Sequence, residues 1–332
     1  MKILFNDIKN LKPGEGCNYY YEVLEGLKRI HNVTFNHGHI TNLKNLGENY
    51  DLILLGFGYT NSGNIEPLPV INNSKTPVGV FLNKEYAALD KKLNWLKKMN
   101  PSFVLTVHHS FKEIEEKIKI PTYRIMWSAL KDIFKRYDDK YVYDFSITGV
   151  VRNEQTNNWR RKVLNNLDKL GNIRIYKNVR LQETGYKGKM LTGEKYATKI
   201  NHSKIFLATT SPADLISTRY FECMATKKAL IITNRMSKKV FENYLIEDFN
   251  CVMFDTLEEF YEKVKYYLKH EEKRMKIVNN AYKYFIENLS WDKSSLKMTN
   301  IFKKYIKTSV PSKTKPTKPT KPTKPTKPTK PT

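Results

Sequence analysis

The sequence predicts an α/β protein: two doubly wound domains facing each other across a cleft, with a disordered tail at the carboxyl end. Three observations lead there. Short apolar runs of buried-strand type alternate with amphipathic helical stretches along most of the chain. The alternation comes in two series, separated by the irregular segment PTYRIMWSALKDIFKRYDDKY at 121–141, which reads as the interdomain connection. Residues 315–332 are six copies of Lys-Pro-Thr, and a proline at every third position forbids helix and central strand. The expected units are therefore 1–140, 141–306 with its closing helices, and the tail 307–332.

The first series opens with the strand KILFN, a KPGEG loop and the helical CNYYYEVLEGLKRI, whose Tyr20, Val23, Leu24 and Leu27 recur on one helix face. VTFNH, DLILLGF and PVGVFL follow as strands, then the helix ALDKKLNWLKKM and the strand SFVLTV. The second series starts with the strand YDFSITGVV. The helix NNWRRKVLNNLDKL, the strand NIRIYK, the loop GYKGKMLTGEK and the helix YATKINHS come next. KIFLATT and ALIIT are strands on either side of a short helix. The closing helical stretch begins at Thr256 and Glu259, a Thr-x-x-Glu capping box ahead of Leu257, Phe260, Val264 and Leu268. Strands alternating with helices in this way make a mostly parallel sheet covered on both faces.

Composition bounds the class of molecule. The chain has 332 residues, 40% hydrophobic and 12% aromatic, enough for two cores. Cys17, Cys223 and Cys251 are far apart, with no Cys-x-x-Cys pair and no Cys/His cluster, which argues for reduced thiols and against a zinc site. No apolar run approaches the roughly 18 residues of a membrane span, and the apolar run in MKILFNDIKN is too short for a secretory signal. A cytoplasmic protein is expected. The formal charge is +25, and setting aside the seven lysines beyond residue 310 leaves +18. An excess of this size suits an anionic partner, although lysines scattered over solvated faces give the same sum. The tail is expected to be extended and polyproline-II-like, either an arm for an acidic surface or an extension with no part in the chemistry.

One stretch carries chemistry: SPADLISTRYFECMATKKALIIT, residues 211–233. After KIFLATT the chain leaves the carboxyl end of a parallel sheet, where ligands bind in open α/β folds. Ser217 or Thr218 is expected to cap the next helix, whose free N–H groups and dipole favour an anion such as a phosphate. Arg219 in the first turn can add a charge-assisted fork to that phosphate. Glu222, one turn in, can accept two hydrogen bonds from a ribose diol. Together they describe a site for a nucleoside diphosphate. A capped amphipathic helix with Arg219 and Glu222 as a surface ion pair is the alternative.

The same residues resemble the donor domain of GT-B glycosyltransferases, particularly the group similar to the spore-maturation protein CgeB. YDFSITGVV stands where that group has an Asp-x-Ser-Phe-x-Gly strand, and WRRKVL matches its Arg-bearing helix. NHSKIFLATTS matches a Ser-Lys-Ile-x-Leu strand. STRYFECMATKKALIIT matches a Pro-x-Arg-x-Phe-Glu-x-x-Ala-x-Gly motif with its strand, and residues 256–291 match the closing helices. The resemblance implies two Rossmann-like domains, a nucleotide-sugar donor (a UDP or GDP sugar) and no prosthetic group. It also implies that Glu222 grips the donor ribose while Arg219 and the helix start serve the diphosphate. Related retaining families carry a Glu-x7-Glu motif, in which Asp214 would be the first acid here. Lys227 or Lys228 replaces the usual Gly.

Further candidates surround this motif. Gly149, at the end of SITG, lets the backbone approach the diphosphate. Arg152, in the following loop, is preferred for neutralising it over Arg160 or Arg161 on the next helix. Lys187 and Lys189 are a second pair, or simply a solvated loop. No Asp-x-Asp occurs, so a metal-clamped phosphate is not expected, and the cations and helix start would stabilise the leaving group. In the first half, Gly14 and Gly16 of KPGEG form a tight loop able to approach the donor. His31 fits a structural helix-to-strand turn. His108 and His109 lie at a strand end facing the cleft, where an imidazole can bond the transferred sugar or act as base. Glu85, beside Asn83 at another strand end, is the rival base. The choice between them stays open, and with it inversion or retention.

The expected function is metal-independent transfer of a sugar from a nucleotide-diphosphate donor to a sugar-bearing or other acceptor (glycan, protein or lipid). Two alternatives remain at this level: a nucleic-acid-modifying transferase or DNA-binding protein, which the body charge permits, and an inactive binding or structural protein.

Overall fold

A computed structural model of the chain describes residues 1–11, 19–44, 46, 49–60, 66–151, 159–181, 191–211 and 214–306. The first sheet is built from β1 (Lys2–Asp7), β2 (Asn32–His37), β3 (Leu52–Leu55), β4 (Val78–Leu82), β5 (Phe103–Thr106) and β6 (Thr122–Arg124), in the order β2-β1-β3-β4-β5-β6. The second has β7 (Tyr143–Val151), β8 (Ile175–Leu181), β9 (Ser203–Leu207), β10 (Leu230–Asn234) and β11 (Val252–Phe254), ordered β11-β10-β9-β7-β8. Every strand pair in both is parallel. Two doubly wound parallel sheets are what the alternating pattern predicts.

Burial on both faces follows from the continuous apolar runs. In β1, Ile3 and Phe5 point into one core and Leu4 into another. The second core lies under α2 (Leu89–Met99) and α3 (Phe111–Ile118), through Leu93, Leu96, Ile114 and Ile118. The outer face of the second sheet packs Phe145, Ile205 and Val252 against Phe260 and Val264 of α8 (Leu257–Lys269) and Ile277 of α9 (Glu271–Tyr284). The remaining core is shared between the two sheets. It runs from Phe5 and Phe103 through Trp127 and Trp291 to Phe206, Tyr220 and Phe221.

Helix α1 (Tyr19–Lys28) buries the predicted Tyr20, Val23, Leu24 and Leu27. After α9 the chain makes a π-turn at Phe285–Leu289 and enters α10 (Trp291–Phe302). That helix, expected among the closing helices of the second unit, packs against the first. Trp291 Nε1 donates to Glu22 Oε2 at 2.9 Å, Phe302 stacks on Phe103, and His31 Nε2 meets Thr299 Oγ1 at 2.7 Å. Other departures from the sequence reading are local. The segment 121–141 contains β6, while α3 and β11 were not anticipated. NIRIYK forms its strand later, at Ile175–Leu181, and α5 (Gly193–Asn201) begins inside the expected GYKGKMLTGEK loop. The tail lies outside the described residues.

Candidate functional site

The site is assembled where β7 and β9 end and face the first domain. Gly149 lies on β7 with φ +107°. A Cβ there would sit 2.4 Å from Arg219 Nη2, 2.8 Å from Arg219 Cζ and 3.3 Å from Arg160 Nη1. Glycine alone lets both guanidiniums lie against the strand.

Arg160 comes from α4 (Trp159–Leu164) and is 8% exposed. Its Nη1 donates to Val150 O at 2.6 Å and its Nη2 to Thr209 Oγ1 at 2.9 Å. Among the described residues no carboxylate pairs with Arg160 or Arg219 in an ion-pair contact. Burial, and then the Arg219 charge beside it, pull the Arg160 guanidinium down to about 9. A buried and a half-buried cation held side by side, with no ion-pair carboxylate among the described residues, form a receptacle for an anion.

Helix α6 (Thr218–Thr226) begins at the same place. Ser217 occupies the N-cap in extended backbone, φ −89° and ψ 169°. Its hydroxyl does not cap the helix as expected: Oγ is buried and has no hydrogen-bond partner. The Thr218 hydroxyl bonds the Glu222 carboxylate instead. The first turn is thus left without a side-chain cap, its N–H groups available beside Arg219.

Glu222 is 8% exposed, which removes the surface ion-pair alternative. Burial pushes its carboxyl up to about 7, against the opposing pull of Arg219 and Thr218. It lies within electrostatic reach of Tyr196 on α5, whose hydroxyl also contacts Thr148 Oγ1 at 3.4 Å. From the first domain Glu22 approaches the same place. Burial, reinforced by the Glu222 charge, pushes Glu22 up to about 8, and its Oε1 is buried without a partner.

Across the boundary, His108 and His109 follow β5, their rings stacked 4.3 Å apart at 24°. His108 Nδ1 accepts from Ser110 N at 3.0 Å. Burial, then its neighbour His109, hold His108 down to about 4. Burial followed by the Arg124 and Lys239 charges lowers His109, while Asp214 acts in the opposite sense. His109 Nδ1 is buried and unpartnered. Asp214 is exposed, in left-handed backbone at φ +53°, and its N–H donates to Ser211 O at 3.0 Å. Asp214 thus lies within electrostatic reach of His109 from the opposite domain.

Glu85 lies elsewhere. It is 2% exposed and accepts from Thr106 Oγ1 beneath the histidine loop, with Oε2 unpartnered. Burial raises its carboxyl to about 7. Lys92, which lies near enough to counter that rise, donates to Asn83 O and Lys84 O at 2.7 Å each. Gly16 and Arg152, with Gly14, Lys187 and Lys189, lie outside the described residues.

From sequence Arg152 is preferred to Arg160, because a helix residue can face solvent. The contact of Arg160 with Val150 O turns it inward instead. Tyr196 and Glu22 were not singled out. Among the described residues no three His, Cys, Asp or Glu side chains are grouped as metal ligands.

Comparison with known proteins agrees with this architecture. The chain is similar in structure to Anabaena HepE, at 13% identity and a TM-score of 0.58 over 92% of this chain and 100% of the other. Sucrose-phosphate synthase from Thermosynechococcus elongatus matches at 10% identity and 0.58 over 91% and 98%. Phage T4 BGT matches at 13% and 0.53 over 93% and 100%. These likenesses show the GT-B fold. No sequence among curated proteins matches. The description "Glycosyl transferase-like" fits residues 124–298, from the end of β6 to near the end of α10. That span takes in Gly149, Arg160, Asp214, Arg219 and Glu222, and it covers more than half of the sequence: the chain belongs to the glycosyl transferase-like family.

Proposed function

We propose that this chain transfers a sugar from a nucleoside-diphosphate sugar to an acceptor hydroxyl, and that the donor lies across Gly149. The observation that carries the reading is the pair of guanidiniums resting on that glycine, with no ion-pair carboxylate among the described residues, beside the uncapped start of α6. A diphosphate supplies the charge the pair lacks. One turn further, the Glu222 carboxylate takes the ribose hydroxyls. Ionisation of Glu222 on ligand binding follows from donors replacing the water it has lost.

HepE and BGT were each solved in complex with UDP-glucose. That supports a uridine diphosphate sugar as the first donor to test, with the guanosine analogue as the alternative. As the leaving diphosphate gains charge, Arg160, Arg219 and the helix N–H groups are already oriented toward it, so the reading requires no metal. His109, kept neutral by burial and nearby cations, is the base toward the acceptor hydroxyl, and Asp214 steadies the imidazolium that forms.

The test is release of UDP from UDP-glucose by the purified chain, with and without EDTA. Release that persists in chelator and disappears in Arg219→Ala is expected. Release abolished by EDTA and restored by a divalent cation contradicts the metal-free reading. Release unchanged in Arg219→Ala contradicts the donor placement.

A further inference from the structure

A cavity of about 1020 Å³ lies apart from the donor site. It is a groove between α3 and β6 of the first domain, α10 behind them, and the segment around α7 (Lys238–Phe241) of the second. His109 forms one of its walls. The imidazole therefore has Asp214 and the donor side within reach on one hand and this groove on the other.

The groove has the chemistry of a carbohydrate site. Tyr123 and Tyr244 line it, each with a cation over one ring face (Lys304 at 5.0 Å and Arg124 at 4.8 Å), and Asn243 and Asn300 contribute amide donors and acceptors. Five lysine and arginine side chains line it against the carboxylates of Glu113, Glu116 and Glu242. Lys239 is paired with Glu113, Lys112 with Glu115 at 3.2 Å, and Lys238 with Glu242 at 3.8 Å. Arg124 and Lys297 have no carboxylate partner among the described residues. Arg124 donates only to backbone, to Val107 O at 3.4 Å, Lys239 O at 3.3 Å and Val240 O at 2.9 Å, which leaves part of its fork unused. Lys297 Nζ donates to Asn288 O at 3.2 Å.

These two cations converge on a smaller recess that shares Arg124, Ile125, Tyr244 and Lys297 with the groove. The recess contains no acidic side chain and holds about 30 Å³. By the same measure one water needs roughly 10–15 Å³, so the space suits the two oxygens of a carboxylate. We infer that the groove receives an acidic oligosaccharide acceptor, its sugar rings against Tyr123 and Tyr244 and a uronate-type carboxylate between Arg124 and Lys297. A hydroxyl of that acceptor then lies at His109. The inference rests on the transferase reading only in calling the occupant an acceptor; binding in the groove does not depend on the donor site.

The test is calorimetric titration of the full chain with tetragalacturonate, and with maltotetraose as the neutral counterpart. UDP is titrated in parallel. Tetragalacturonate is expected to bind at least about tenfold more tightly than maltotetraose, and Lys297→Gln to remove about that factor, the scale of one hydrogen bond to a charged group. Lys297 is exposed on α10, so the variant folds. Glu222→Ala is expected to leave tetragalacturonate binding unchanged while weakening UDP. Equal affinity for the two sugars, no binding of either, or acidic binding indifferent to Lys297→Gln overturns the inference. Acidic binding lost in Lys297→Gln alongside no UDP binding upholds the groove and refutes the donor site instead.

Discussion

Gly149 is where the donor account is most sensitive to a single carbon atom. Gly149→Ala puts a methyl 2.4 Å from Arg219 Nη2 and imposes φ +107° on an L-residue. Arg219 must then leave the strand. UDP affinity is expected to fall by about tenfold or more in calorimetry, as when one charged hydrogen bond is lost. An unchanged affinity would mean that Arg219 does not hold the diphosphate. His109 is tested by kinetics. His109→Gln should lower kcat by roughly 10²–10⁴, the usual share of general base catalysis, and leave the UDP dissociation constant unaltered. Because burial and the neighbouring cations lower His109 from its ordinary 6.5, the neutral base persists below that pH. The acid limb of the kcat profile should therefore fall below pH 6.5, and a limb at or above it would count against His109. Arg219 and Glu222 were legible because the strand end, helix start and one-turn spacing that give them meaning lie within a single short stretch. Glu22 was not, since its burial is completed by Trp291, 269 positions away.

At the scale of elements, helix ends show how local chemistry became structure. Thr256 and Glu259 form the predicted capping box: Thr256 Oγ1 accepts from Glu259 N at 3.1 Å. The reciprocal bond reaches one residue further back than the standard pattern, from Asp255 N to Glu259 Oε2 at 2.7 Å. Thr256→Ala should cost about 1 kcal/mol in urea unfolding, and no loss would show that the cap is idle. Helix α6 ends the other way. Lys227, which with Lys228 stands for the glycine of the resembled motif, adopts left-handed backbone at φ +55° as the C-cap. Lys227→Gly relieves that conformation and should stabilise the protein by roughly 0.5–1 kcal/mol, after the greater backbone freedom of glycine is subtracted. A destabilised variant would mean that the Lys227 contact over the Tyr282 ring matters more than the backbone. The strands read most clearly were long apolar runs, such as YDFSITGVV. β6 and β11 have three residues each, too few for periodicity to show.

The whole molecule is two domains held by one shared core and by a last helix that returns to the first. Neither the return of α10 nor the meeting of Glu22 with Glu222 is visible in a sequence read element by element, because both depend on how the sheets face each other. That meeting makes stability depend on pH. Burial raises Glu22 and Glu222 from 4.5 to about 8 and about 7, so the folded state keeps protons that the unfolded chain has released. Their stabilising contribution is full below about pH 4.5 and is lost as pH rises through the folded values. Glu22→Gln should flatten the decline in melting temperature between pH 5 and 8 in the ligand-free protein; an identical slope in the variant would remove Glu22 from the account. On the proposed reading a nucleoside diphosphate binds between Gly149, Arg160, Arg219 and Glu222. The most direct measurement is thermal stabilisation by UDP of the parent chain and of Glu222→Ala. A ligand at 100 times its dissociation constant should add about 2.7 kcal/mol to the parent, and the variant should bind more weakly by roughly 1.5–3 kcal/mol. Equal stabilisation of the two proteins, or none of the parent by UDP or GDP, would contradict it.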